Sequence, residues 1–122
     1  MRTTKSIITS FMLIVLFAAS AAAQSQSSVI AVINRADWCP VCENNGKRAM
    51  KTLKGNNQDN AIRFVINDLT DKQTKKKSAK QLKKLEVYKK MKAFDGTGVV
   101  FFFDADTKEL IRKISVSKSN RE

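Results

Sequence analysis

The sequence predicts an α/β fold with elements in the order β-α-β-α-β-β, a four-stranded mixed sheet and no C-terminal helix. Three observations carry this. Short runs rich in β-branched or aromatic residues, apolar on both faces, recur at 29–34, 62–67 and 99–103, as expected of strands covered by helices on both sides. The intervals between them hold helical patterning. Past the third run come a turn and one alternating stretch, and only six residues follow Val116, too few for another helix.

Val29 to Asn34 (VIAVIN) reads as a buried central strand. Asp37 to Pro40 then opens a helix, because Pro40 suits the first helical position, where a missing N–H costs nothing. This helix is expected to run to about Lys54, with Val41, Ala49, Met50 and Leu53 facing the core; Gly46 weakens it, and Gly55-Asn56 end it. Ile62 to Asn67 (IRFVIN) is the second strand. Ala79, Leu82, Leu85, Tyr88 and Met91 recur every three residues, with Val87 beside them, and predict a helix from about Ser78 to Ala93. Asp95-Gly96-Thr97-Gly98 breaks the chain before the strand Val99 to Phe103. Asp104 to Lys108 (DADTK) is a turn, and Glu109 to Val116 alternates as an outer strand. The first two strands, joined through a helix, should be parallel with a right-handed crossover; the last two should form a hairpin.

Residues 1–23 are set apart from this domain. Arg2 and Lys5 give a positive start, Ile7 to Phe17 is largely apolar, and Ala21 and Ala23 fit an A-x-A cleavage site before Gln24. That is the pattern of a secretory signal peptide. The apolar stretch is shorter than the ~20 residues of a membrane span, so cleavage is expected rather than anchoring. With no cysteine following the cleavage point, a lipid anchor is not expected. The mature chain is then one domain, 24–122, exported and soluble, and periplasmic if the source is bacterial. The whole chain carries 23 Lys or Arg against 11 Asp or Glu, net +12, of which Arg2 and Lys5 leave with the leader.

Ala36 to Cys42 (ADWCPVC) holds both cysteines and the only proline, and the chain has no histidine. A disulfide across two residues closes too small a loop to stabilise the fold much. In an oxidising compartment the pair needs another reason to exist. Its expected place, at the end of the first strand and the start of a helix, supplies one. Free N–H groups and the helix dipole favour a thiolate at Cys39. Cys39 is thus expected to be the exposed nucleophile, and Cys42, one turn in, the thiol that resolves a mixed disulfide. A closed tetrahedral metal site needs more Cys or His than the chain has. Two thiolates suit Cu(I), so copper binding or transfer by Cys39 and Cys42 is the alternative reading.

Trp38-Cys39-Pro40-Val41-Cys42 resembles the active site of the thioredoxin superfamily, and Ala36-Asp37-Trp38-Cys39 is similar to the periplasmic reductase domains of the DsbD kind. Gly96 to Asp104 (GTGVVFFFD) is similar to the family's G-x-P-T-x-x-F-F-D strand. The resemblance covers about Val29 to Val116. It implies a thioredoxin-like fold, thiol-disulfide exchange on protein substrates, and no bound cofactor beyond the redox-active disulfide Cys39–Cys42. It further implies an active-site loop of Asp37, Pro40 and Val41, and a substrate groove of Trp38, Thr97 and Gly98. Partners would be protein thiols or disulfides and an upstream electron donor or acceptor.

Three departures from the family stand out. Gly98 occupies the place of its cis-proline, which favours the copper alternative and suggests that Gly98→Pro would be accommodated if the bend has the family's geometry. Ile33 stands where many members carry a buried aspartate, leaving Asp37 or Glu43 to assist deprotonation of Cys42. The closing helix is absent.

Lys47 and Arg48 read as solvated positions, Glu43 as a first-turn acid, and Tyr88 as core. Ten lysines fall between Lys72 and Lys92. They read as the wet faces of an amphipathic helix that would favour acidic partners; membrane contact is limited to the leader or to weak attraction by this surface. Nucleic acid is not expected, because no aromatic platform interleaves the lysines. A thioredoxin-shaped, noncatalytic binding module is the third reading.

Overall fold

The computed structural model describes residues 27–121. The expected leader, 1–23, lies outside them, and no helix among the described residues is long and apolar enough to cross a membrane. The elements are β1 (Val29–Arg35), α1 (Pro40–Gly55), β2 (Ile62–Asp68), α2 (Lys72–Lys84), α3 (Tyr88–Met91), β3 (Val99–Asp104) and β4 (Leu110–Ser115). The sheet order is β2-β1-β3-β4, with β1 parallel to β2 and antiparallel to β3, and β3 antiparallel to β4. This is the expected mixed four-stranded sheet, and no helix follows Val116 among the described residues.

Alternation along β1 divides the core into two layers. Ile30 and Val32 point into a layer with Val65, Phe101 and Phe103, closed by Leu82, Val87 and Met91 of the α2–α3 region. Ala31 and Ile33 point the other way, to Val100, Val116 and Ala49 of α1, with Met50, Leu53, Phe64 and Phe102 packed around them. Both faces of β1 are therefore dry, which is why Val29 to Ile33 is apolar throughout. Phe103, Val32, Val87 and Val100 are fully buried, and such side chains each contribute about 1.5–3 kcal/mol. β4 is an edge strand whose Leu110, Ile111, Arg112 and Lys113 are exposed; the two cations discourage pairing with other chains.

The second helix departs from expectation. It starts earlier, because Asp71 and Thr74 form a capping box: the Asp71 carboxylate accepts from Thr74 N–H (2.8 Å) and the Thr74 hydroxyl accepts from Asp71 N–H (3.0 Å). It also ends earlier. Glu86 takes a left-handed backbone (φ 62°), Glu86 N–H bonds Lys83 C=O, and Val87 N–H bonds Leu82 C=O. These are the two bonds of a Schellman stop, and its apolar pair is the buried Leu82 and Val87. One turn, α3, follows. Tyr88 is half-buried against this layer, with the Lys83 and Lys92 ammonium groups 4.8 and 5.4 Å from its ring centre.

Arg48 is not a solvated position. Its guanidinium donates to Val116 C=O (2.7 Å), to Lys118 C=O (2.9 Å) and to the Asn120 side chain, tying the last described residues to α1.

Candidate dithiol site

β1 ends at Arg35, and the chain turns through Ala36, Asp37 and Trp38 into α1. Cys39 is the N-cap of that helix and Pro40 its first residue, as expected. The Cys39 sulfur accepts the Cys42 N–H at 3.2 Å, so it fills the place usually taken by a serine or aspartate oxygen. That capping role corrects one expectation. Cys39 is only 3 % exposed, whereas Cys42 is half-buried and lines a cavity of about 590 Å³ on the α1 side of the sheet. Val41 is also corrected: it is 40 % exposed, outside the core, and sits against Gly98.

The two thiols are electrostatically unlike. Burial opposes ionisation of Cys39, yet hydrogen bonds from the Cys42 thiol, the Thr97 side chain and the Cys42 and Val41 N–H groups bring its pKa below the ordinary thiol value. Burial pushes Cys42 up. Donation to Cys39 and the charge that Cys39 carries push it further, and the Ala36 backbone and Arg35 offset only part. Of the two thiols, Cys39 is therefore the one that ionises more readily.

Thr97 comes to this sulfur from the far end of the sequence, with Gly98 next to it against Val41. Gly98 has φ +74°, donates its N–H to Asn34 C=O (2.8 Å) and accepts from Val116 N–H (2.8 Å). A Cβ there would lie 3.0 Å from Val41 Cγ1. The bend thus differs from what Gly98→Pro requires: proline can neither adopt a positive φ nor supply that N–H. Both main-chain groups of Gly98 are committed within the chain. Among the described residues those of Thr97 make no such bond, so of the two Thr97 is the one open to a partner chain.

Trp38 is 61 % exposed on the rim, its indole N–H donating to Thr70 C=O at 3.2 Å. Asp37 N–H donates to the Thr70 hydroxyl (3.0 Å), and the Asp37 carboxylate pairs with Arg35. Arg35 also pairs with Asp68 at 2.9 Å. Burial opposes ionisation of Asp68, but bonds from the Thr70 hydroxyl and N–H, with Arg35 beside it, hold it below the usual carboxylate range. Asp37 is therefore engaged with Arg35, while Glu43 shares the Cys42 cavity. Ile33 is 4 % exposed in the apolar layer under α1, with no charge in its place.

The residue that sequence reasoning missed is Asn34. It is fully buried at the end of β1, and its amide donates to Phe94 C=O (3.0 Å) and Gly96 C=O (3.1 Å) while its oxygen accepts from Asn67 Nδ2 (2.8 Å). With Gly98 N–H on its backbone carbonyl, Asn34 fixes the loop that delivers Thr97. A signal was present: two apolar strands each end in VIN, and a parallel register with those ends level sets Asn34 beside Asn67.

No protein-family model and no curated protein matches the chain. Solved structures do. Trxlp of Edwardsiella tarda is similar at a TM-score of 0.50 and 19 % identity, over 85 % of each chain. Thioredoxin f2 of Chlamydomonas reinhardtii is similar at 0.50 and 20 % identity, over 80 % of this chain and 75 % of its own. The described residues have a thioredoxin-like fold, with a close cysteine pair at the head of its first helix.

Proposed function

We propose that this thioredoxin-like chain exchanges thiols and disulfides with other proteins through Cys39 and Cys42. One observation carries the reading: the two thiols lie one turn apart at a helix start, where Cys39 Sγ accepts the Cys42 N–H and is the more readily ionised of the two. The Cys39 thiolate attacks a substrate disulfide, forming a mixed disulfide and releasing one substrate thiol. Cys42 then gives up its proton, with Glu43 the nearby carboxylate free of other partners among the described residues, and attacks Cys39 Sγ. The second substrate thiol leaves, and the chain holds the disulfide.

Because Cys39 is covered, a protein substrate reaches it by docking along Trp38 and Thr97, with Gly98 shaping the groove. An upstream electron donor resets the pair, and no bound cofactor is needed. The leader at 1–23 supports export, and a periplasmic site in a bacterium. The lysines of α2 support a preference for acidic partners.

Purified mature protein should catalyse reduction of insulin disulfides by dithiothreitol, Cys39→Ser should abolish this, and Cys42→Ser should trap mixed disulfides. If folded wild type neither reduces insulin nor oxidises a reduced protein, exchange is refuted. Tight one-to-one Cu(I) binding lost in Cys39→Ser, in protein without turnover, would then establish copper transfer instead.

A further inference from the structure

The exchange reading leaves open how electrons arrive, and the two sulfurs face different surroundings. Cys39 is buried, its sulfur bonded by the Val41 N–H and the Thr97 side chain, whereas Cys42 lines the cavity. At about 590 Å³ this cavity falls within the ~300–1,000 Å³ of small-molecule sites and is far too small for a protein substrate. Its apolar side is formed by Ile33, Met50 and Ile66. Its wall of α1 carries Glu43 and Lys47, four positions apart. Among the described residues neither has an ion-pair partner, and they do not pair with each other. One unpaired anion and one unpaired cation therefore stand beside a thiol over an apolar floor, with the Arg35–Asp37 ion pair also on the lining.

We propose that this cavity admits a small zwitterionic thiol, of the class of cysteine or a cysteine-containing dipeptide, which reduces the oxidised chain by attacking Cys42 rather than Cys39. The inference rests on the exchange reading and supplies its electron donor. Lys47 receives the carboxylate of the thiol and Glu43 its ammonium group. The small thiolate forms a bond to Cys42 Sγ, and the Cys39–Cys42 bond breaks with its electron pair going to Cys39. A second thiolate attacks the small-molecule sulfur of the mixed disulfide, and Cys42 leaves and takes up a proton. Two small thiols are oxidised to one small disulfide, and the protein disulfide is reduced to the dithiol. Attack on this sulfur is also the favourable direction, since the departing charge lands on Cys39, which caps a helix and accepts N–H bonds. Electrons then enter through Cys42 on the cavity side and leave through Cys39 on the Trp38–Thr97 side.

The test mixes oxidised mature protein with L-cysteine, quenches in acid at early times and maps the mixed disulfide by peptide mass spectrometry. Adducts on Cys42 should exceed those on Cys39 by about tenfold, as expected where one sulfur is open and the other covered. The rate constant for L-cysteine relative to that for 2-mercaptoethanol should fall about fivefold in Lys47→Glu, the equivalent of one exposed ion pair. Insulin turnover with dithiothreitol alongside adducts on Cys39 overturns the route while leaving exchange standing. A ratio unmoved by Lys47→Glu overturns the zwitterion assignment. Absence of turnover with any reductant overturns the exchange reading, and this route with it.

Discussion

Asn34→Ala removes a side chain that has no exposure and makes three hydrogen bonds. The Asn67 amide is left without its acceptor at a buried site, which costs about 1–3 kcal/mol. The carbonyls of Phe94 and Gly96 lie nearer the surface and partly recover water, so each loss is nearer 0.5–1 kcal/mol. The sum is about 2–5 kcal/mol, a large part of the roughly 5–14 kcal/mol expected of a domain this size. Urea denaturation monitored by circular dichroism measures it. Asn34→Ala/Asn67→Ala removes the orphaned amide as well, so the double variant should be less destabilised than the sum of the singles, by about 1 kcal/mol or more. The same substitution frees the loop carrying Thr97, so the Cys39 thiolate should lose one of its donors and titrate higher. A cost below about 1 kcal/mol, or strict additivity with Asn67→Ala, would refute the account of Asn34 as the clamp on that loop.

Gly98→Ala should destabilise by about 1–2 kcal/mol from its positive φ, plus a steric part from the 3.0 Å approach to Val41; adding Val41→Ala should recover only the steric part in the same melts. Glu86→Gly should stabilise by about 0.5–1 kcal/mol, because relief of left-handed strain exceeds the entropy that glycine adds to the unfolded chain. Ultraviolet thiolate absorbance of the dithiol form should rise in two separated steps, the first below that of an ordinary thiol, and Cys42→Ala should move that first step upward. The sign for stability follows. The depressed Cys39 contributes stability that grows as pH rises through its folded pKa and is complete above the unfolded value. The raised Cys42 subtracts stability once its unfolded counterpart ionises. Relative to Cys39→Ser/Cys42→Ser, dithiol stability should therefore peak near pH ~8.5, and a monotonic difference would contradict the assignment of charge to Cys39.

Every strand was legible in the sequence to within a residue or two at each end, because the central strands β1 and β3 are covered on both faces and are mostly apolar, and the edge strand β2 still buries Val65 and Asn67 beside β1. The first helix was legible through Pro40 and the cysteine spacing. What escaped depends on contacts that no local pattern encodes. Glu86 gives no glycine-like warning of a left-handed stop, so α2 and α3 looked like one helix. Arg48 looks like any exposed arginine until the chain returns 68 residues later to accept its hydrogen bonds. Cys39 was expected in the open because a nucleophile needs access, but the same sulfur caps the helix, and capping draws it inward. The asymmetry of the two thiols follows partly from the helix start, which was legible, and partly from Thr97, whose delivery depends on Asn34 and was not.

The pairing of β1 with β3 joins Val29 to Asp104, so the chain must close a loop of most of its length before Thr97 can meet Cys39. Closure of this kind is slow, because the entropy of the loop is lost before the contacts that offset it are made. Until then Cys39 and Cys42 stand at the head of an isolated helix, and only the local N–H groups distinguish them. Reactivity is thus timed by topology. A chain still being made carries a much more ordinary pair of thiols, and the finished difference between them needs the third strand. Folding acts here as the safety catch on the chemistry: the site is completed by a long-range contact and not by the helix alone.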